Sequence, residues 1–322
     1  MVLIRELALI HDREDQVVDK INGLYSLLSS EQGFKYSRVF IVDKGFREIY
    51  KLVSRTDLDI VHAYMDLGIL VKLLIAMIIS CKPRLLIITV PSNYRLSRLK
   101  AYLLTSLLNM LCLLGKKVLV SYLSPYEPYV LNKYLGRFKY MYIPFTLFCK
   151  VPGKTFELLT SEPLTILYPV YHGIDYSVSR VISLLKDVGM TPRFIFFGKL
   201  CIDNPYTLCI YSEEYSDYIR GVSIGLVLDN SVEANMRLTE LVMHGKPVIT
   251  LEDNPFSYQF IDTGFIKHIE SSDTDTILTA IIDIVNRIDD YKKILAIYKP
   301  EIPDNRNIAL YIYKEIISTL LE

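Results

Sequence analysis

The segment MRLTELVMHGKPVIT, residues 236–250, places Glu240 three positions after Arg237 and ends in a Gly-Lys-Pro break at 245–247, ahead of Val248 and Ile249. It predicts a helix, a tight turn and a strand. Upstream, the apolar run VSIGLVL predicts another strand, and 229–235 is a polar loop. In an open parallel sheet, ligands lie beyond the carboxyl ends of the strands, where helix N-termini point at them. A helix over 235–244 leaves the backbone N–H groups of Ala234, Asn235, Met236 and Arg237 free at its start. There they could hold a diphosphate through hydrogen bonds and the helix dipole. Glu240 lies about one turn further in, where an acceptor-only carboxylate can take two hydroxyl protons from a ribose. The bland alternative is a solvated helix residue. Arg237 either reaches a phosphate or caps the helix face, and Lys246 reads as a structural residue of the turn.

The elements that would position these groups alternate along the chain. Short Val/Ile/Phe-rich runs separated by helix-period segments predict βα units winding a parallel sheet. In the first half the strands are ELALI, RVFIV, DIVHAY, RLLIITV, KVLVSYL and YMYIP, with helices near 15–30, 45–54, 67–80, 95–114 and 126–135. The text is irregular from 145 to 163, which sets a domain boundary near residue 160. A second set follows: LTILYP, a helix over 175–188, RFIFFG, TLCIY, VSIGLVL, the helix over 235–244, PVIT and a helix over 272–294. The final segment, NIALYIYKEIISTLLE, has helical apolar spacing and needs a surface to lie on. The reading is two domains, 1–160 completed by helix 304–322, and 161–303.

Composition excludes several function classes. Lys plus Arg equals Asp plus Glu at 36 each in a chain of 322 residues, so no global charge draws the protein onto nucleic acid. Five widely spaced cysteines form no CxxC pair and no disulfide framework, and Arg5 and Glu6 interrupt the apolar start in a way a signal peptide does not. Both point to a reducing, intracellular setting. The longest uncharged run, 101–115, is too short to span a bilayer. PGKT at 152–155 lacks the first glycine and the preceding strand of a phosphate loop.

EANMRLTELVMHGKPVI resembles the donor segment of GT-B glycosyltransferases, in particular the large retaining family (family 4, group 1 type) whose donor loop leads into a Lys/Arg-x-x-Glu helix and a Gly-Lys-Pro-Val turn. DLDIVHAY, SYLSPYEPYVLNKYLG and EEYSDYIRGVSIGLVL are similar to other family elements in order and spacing. The specific part of the likeness covers 213–250. It implies two Rossmann-like domains facing across a cleft, with a C-terminal helix crossing back to the first. It implies that Glu240 holds the nucleotide ribose and that the loop from Ser231 to Met236 holds the diphosphate and sugar.

The sequence also departs from that family. The glutamate expected eight positions before Glu240 is Val232, and Glu233 is the candidate to serve instead. The family's two cations after the first donor-domain strand are absent; His172, Arg180 and Lys199 are the candidate replacements, with Lys199, after RFIFFG, favoured over a surface Arg180. On the acceptor side, the family histidine after the fourth strand is replaced by Pro91, and no glycine-rich loop follows the first strand. His11, Asp12 and His62, read as strand-end residues, are the acceptor-side candidates; each histidine could equally be a packed structural residue. His244 and His268 read as helix-end and strand-end residues.

Arg95, Arg98 and Lys100 precede a helix with leucines at 103, 104, 107, 108 and 111, and Lys116 and Lys117 follow it. Such a helix lies either on an anionic membrane surface or in the core of the first domain. The resemblance therefore implies a retaining, metal-independent glycosyltransferase. It would use a nucleotide sugar (UDP- or GDP-linked) as co-substrate with no cofactor and no metal site, and a glycan, lipid-linked or protein acceptor. It would act in the cytoplasm, on the inner face of the membrane if 95–117 makes the contact. The alternative is a degenerate member that binds nucleotide or a partner without catalysis.

Overall fold

The computed structural model describes residues 4–12, 16–41, 45–80, 82–89, 98–123, 138–144, 163–171, 176–198, 201–202, 204–210, 216–298, 300 and 304–322. The chain divides into two units, one comprising 1–148 with 303–322 and the other 149–302. The expected boundary near 160, the helix over 126–135 and the PGKT segment fall outside the described residues.

The first unit begins β1 (Glu6–His11), α1 (Gln16–Gln32), β2 (Lys35–Phe40), α2 (Phe46–Val53), β3 (Leu58–Tyr64), α3 (Leu67–Ile79), β4 (Leu85–Thr89), α4 (Arg98–Leu113), β5 (Lys117–Tyr122) and β6 (Lys139–Tyr142). Its six strands are parallel in the order β2-β1-β3-β4-β5-β6. Strands β1, β3 and β4 are buried along their whole length, so their sequences are near-continuous apolar runs rather than alternations. Edge strand β2 is half exposed and starts three residues before the expected RVFIV, because Lys35 and Ser37 need satisfy only one neighbour. Right-handed crossovers put α2, α3 and α4 on one face of the sheet. There Ile49, Val53, Leu73, Leu74, Met77, Leu104, Leu108 and Leu111 share a core with the strands. Buried Glu6, at the amino end of β1, is held by Arg55 at 2.7 Å and Ser37 at 3.0 Å, far along the strand from the carboxyl ends where ligands bind.

The second unit runs β7 (Leu164–Val170), α5 (Tyr176–Asp187), β8 (Pro192–Gly198), β9 (Thr207–Ile210), a short α6 (Ser216–Ile219), β10 (Ile224–Val227), α7 (Val232–Met243), β11 (Val248–Leu251), a 3₁₀ turn (Ser257–Thr263), β12 (Ile266–Ile269), α8 (Thr274–Asn286) and α9 (Ile288–Ile297). All pairings are parallel, in the order β12-β11-β10-β7-β8-β9. This is the doubly wound dinucleotide-fold order, with its reversal between β7 and β10. Three expectations need correction. The helix expected over 235–244 starts at Val232, because Ser231 adopts extended backbone and its side chain accepts the Ala234 N–H at 3.1 Å. The helix expected over 272–294 is two helices meeting at Arg287. Strand β12 is expected only through His268, read as a strand-end residue; it is an edge strand, Ile266–Ile269, with His268 inside it.

The cysteine reading also changes. Cys201 and Cys209 form a disulfide that ties the segment after β8 to β9, and Cys112 is free and exposed. A separation of eight residues in sequence carries no motif, so only the β8–β9 pairing brings the two together.

The chain closes with α10 (Asn305–Leu321), which belongs to the first unit. Asp304 caps it by accepting the Arg306 N–H at 3.0 Å, and Ile308, Ala309, Ile312, Ile316 and Leu320 are buried against α1, β5 and β6. Lys139 to Glu322 at 2.7 Å and Arg306 to Glu31 at 3.0 Å pin its two ends.

Candidate functional site

At the β7/β10 reversal, β10 ends, 228–231 turns, and α7 begins. The Ser231 N–H donates to Asp229 Oδ1 at 2.8 Å, forming an Asx turn that aims the chain into the helix. The Asn235 N–H already bonds the Ser231 carbonyl at 3.0 Å and the Ala234 N–H bonds the Ser231 hydroxyl. The amides of Ala234, Asn235, Met236 and Arg237 are therefore inside the capped helix, and the open expectation for them is corrected. The first-turn donors that precede the helix ladder are Val232 and Glu233.

The side chains at this end sort into scaffold and site. Ala234 and Met236 are buried apolar residues. Asn235, also buried, donates to the Ser231 carbonyl at 2.9 Å and accepts from Asn254 at 2.8 Å. Asn254 further donates to Thr250 Oγ1 at 3.0 Å and accepts the Phe256 N–H at 3.0 Å, locking α7 to the end of β11. The sequence reading missed Asn254; the spacing of NPF at 254–256 after a strand is the turn signal that could have raised it. Next to the cap, Asp229 Oδ2 and Asn230 Oδ1 are buried acceptor atoms with no hydrogen-bond partner among the described residues.

Arg237 and Glu240 form the chemical centre of the helix. Arg237 donates to Glu240 Oε2 at 2.6 Å, with side chains 8% and 3% exposed. The guanidinium lies 4.9 Å from the ring centroid of Phe197 on β8 and donates weakly to the Tyr171 hydroxyl at 3.5 Å, just after β7. Tyr171 and Phe197 contact edge to face at 6.3 Å. Burial pushes the Tyr171 phenol up; Arg237 pulls it down, and the charges of Glu233 and Glu240 push it up. So Glu233 acts on the same pocket of charge as Arg237 and Glu240. Neither Tyr171 nor Phe197 was singled out from the sequence, although both stand at the carboxyl ends of adjacent strands, where a site must form. Arg180 is exposed on α5. His172 and Lys199 lie outside the described residues. Lys246 is fully buried, donates to the Arg220 carbonyl at 3.1 Å, and is pulled by burial to about 8. His244 is the C-cap of α7, and His268, inside β12, bonds the Ser257 hydroxyl at 2.7 Å.

In the first unit the three acceptor-side candidates part company. His62 is not a strand-end residue: it lies inside β3, fully buried, with Nδ1 bonded to the Tyr25 hydroxyl and Nε2 to Thr89 Oγ1, both at 2.7 Å. Burial lowers it to about 3, which suits a neutral ring bridging two hydroxyls and not an acceptor contact. His11 ends β1 but is also buried, accepting from Arg38 Nε at 3.1 Å. Asp12 is partly exposed at the β1/β3 reversal, where its Oδ2 accepts the Asp66 N–H at 2.6 Å at the start of α3. Among the described residues, no group of three or more His, Cys, Asp or Glu side chains could hold a metal ion.

No family model matches the sequence. No curated protein matches it either. Solved structures do, along nearly the whole chain. A glycosyltransferase from Rickettsia africae ESF-5 is 12% identical, with TM-score 0.65, over 99% of each chain. Anabaena Alr3699/HepE in complex with UDP is 9% identical, with TM-score 0.65, over 97% of this chain and 100% of its own. Sucrose-phosphate synthase from Thermosynechococcus elongatus is 12% identical, with TM-score 0.64, over 98% and 99%. The fold is GT-B. The second unit carries α7 with Arg237 and Glu240, and α10 is the C-terminal helix that joins the first unit. At such identity the shared property is the backbone arrangement, and side-chain roles have to be argued from this chain.

Proposed function

We propose that the protein transfers a sugar from a nucleotide-sugar donor, bound by the second unit, to a hydroxyl acceptor, with retention and without a metal. The observation that carries this is the buried Arg237–Glu240 pair set at the β7/β10 reversal of a GT-B fold. A carboxylate at that place is an acceptor-only group of the kind that suits ribose hydroxyls, and Arg237, backed by Phe197 and Tyr171, supplies positive charge next to the α7 start. Glu233 would face the transferred sugar. His172 and Lys199 would add the charge that a leaving diphosphate needs. The UDP held by the Anabaena neighbour makes UDP-sugars the first donors to test, ahead of GDP-sugars. The acceptor is a lipid-linked, glycan or protein hydroxyl brought to the first unit, with Asp12 the acceptor-side residue that retains exposure. The reading places the reaction in the cytoplasm, at the membrane if α4 makes contact. With the Cys201–Cys209 disulfide, that placement suits a host whose interior tolerates disulfides.

The test is calorimetric and kinetic. UDP should bind the wild type, and Glu240→Gln should weaken binding by about 1.5–3 kcal/mol, the loss of a charge-assisted hydrogen bond. A donor panel should show slow release of nucleoside diphosphate that survives EDTA and falls about 10²–10³-fold in Lys199→Ala. The family cations and the acceptor-side histidine missing from the sequence motivate a second reading, a GT-B protein that binds nucleotide or a partner without catalysis. Tight binding of intact nucleotide sugars, with no transfer and no hydrolysis, would select it.

A further inference from the structure

Helix α4 has two apolar faces. Ala101, Leu104, Leu108 and Leu111 are buried on the side of the sheet. On the opposite side Leu99, Tyr102, Leu103, Met110 and Leu113 are exposed by 79, 73, 46, 47 and 86%. Helical geometry sets these five on one stripe. The stripe expected from the sequence (103, 104, 107, 108, 111) mixed the two faces: Leu104, Leu108 and Leu111 are core, Leu107 is partly buried, and Leu103 faces out. Neighbouring α3 adds exposed Ile75 and Ile79, with Lys72 on the same side. An outer helix face in a parallel α/β unit is ordinarily polar, so this face asks for a cover.

Charge says what the cover is. In a chain balanced at 36 cations and 36 anions, residues 67–126 contain no Asp or Glu and eight Lys or Arg, of which Lys72 and Lys100 are exposed on α3 and α4 while Lys116 is buried on the Pro83 carbonyl. A second copy of the same face would set cation against cation. Nucleic acid would leave the leucines in water, since its affinity rests on phosphate contacts. We propose that the outer face of α4, with the end of α3, docks the protein on an anionic lipid bilayer. No helix of the described residues is long and apolar enough to cross a membrane, so α4 lies in the plane of the interface. Leu99, Leu103, Met110 and Leu113 enter the acyl boundary, Tyr102 sits at headgroup level, and Lys72 and Lys100 meet anionic headgroups. The proposal concerns the first unit alone, so its failure would leave the donor reading standing.

The chain has no tryptophan, which makes a single introduced Trp a reporter. With the full chain as Leu103→Trp, vesicles of phosphatidylcholine and phosphatidylglycerol at low salt should shift emission to the blue, and brominated acyl chains should quench it. Ile261→Trp, at an exposed site of the second unit, should do neither. Leu99→Ser with Leu113→Ser should lower vesicle affinity at least tenfold with an unchanged melting curve. Lys100→Glu should lower it several-fold, and salt should weaken it further. Wild-type protein that fails to sediment with anionic vesicles at low salt would overturn the proposal. So would a blue shift of Leu103→Trp that rises with protein concentration in the absence of lipid, which would assign the face to a second copy.

Discussion

At the scale of single residues, the buried ions carry the most information. Removing one partner of a buried pair leaves an uncompensated charge, whereas replacing both by apolar groups is often near neutral. Arg237→Met and Glu240→Leu should each destabilise the second unit by about 3–5 kcal/mol, and the double variant by far less than the sum. Pulse proteolysis in urea measures this, and additive losses would mean the pair is not coupled in the folded chain. His62 makes a second case. Its folded value, about 3, lies below the unfolded value near 6.5, so the unfolded chain binds a proton the native one refuses. The stability His62 confers is present above the unfolded value and is lost as pH falls toward the folded one. Between pH 7 and pH 5 the wild type should lose about 2 kcal/mol more than His62→Gln. Equal pH slopes would remove the buried neutral ring from the account.

At the scale of elements, the site depends on how closely β7 and β8 end together. Val170 and Gly198 are paired at the carboxyl ends of these strands, and Gly198 has φ 131°. A Cβ on Gly198 would come within 2.2 Å of the Val170 carbonyl oxygen. No side chain there can move aside, because the obstacle is backbone. Gly198→Ala should therefore cost about 2 kcal/mol or more and part the strand ends that carry Tyr171 and Phe197. Hydrogen exchange should show faster exchange at 168–171 and 196–198; unchanged protection would mean the ends tolerate the strain. The start of α7 is set more locally. Ser231 serves as cap and Gly245, at φ 70°, as the left-handed stop, and both residue types announce those roles in sequence.

At the scale of the whole chain, the two units are separate parallel α/β bodies, and the last helix is structurally part of the first. Ile308, Ile312, Ile316 and Leu320 are all nearly buried, and each fully buried aliphatic side chain contributes about 1.5–3 kcal/mol. A chain ending at 303 should melt its first unit at a much lower temperature and leave the second unchanged. Two calorimetric transitions, of which one moves, would show this; a single transition that moves as a whole would not fit.

The sequence by itself determined the alternation of strands and helices, the parallel sheets, the helical C-terminus and the segment around Glu240, because each rests on local signals. Apolar period, turn residues and caps act within a few positions of one another. Tertiary structure decided what depends on neighbours distant in sequence. The ELALIH and LDIVHAY strands read alike whether their histidines face a ligand or the core; Tyr25 and Thr89, brought in from α1 and β4, settle His62 as a core bridge. The surroundings of Arg237, with Phe197 from β8 and Tyr171 from the end of β7, likewise come together only in the folded sheet. Leucines four apart looked like one stripe on α4 until the sheet took one side of the helix and left the other uncovered. Periodicity shows that a face is apolar; only packing shows which apolar face the protein has already used.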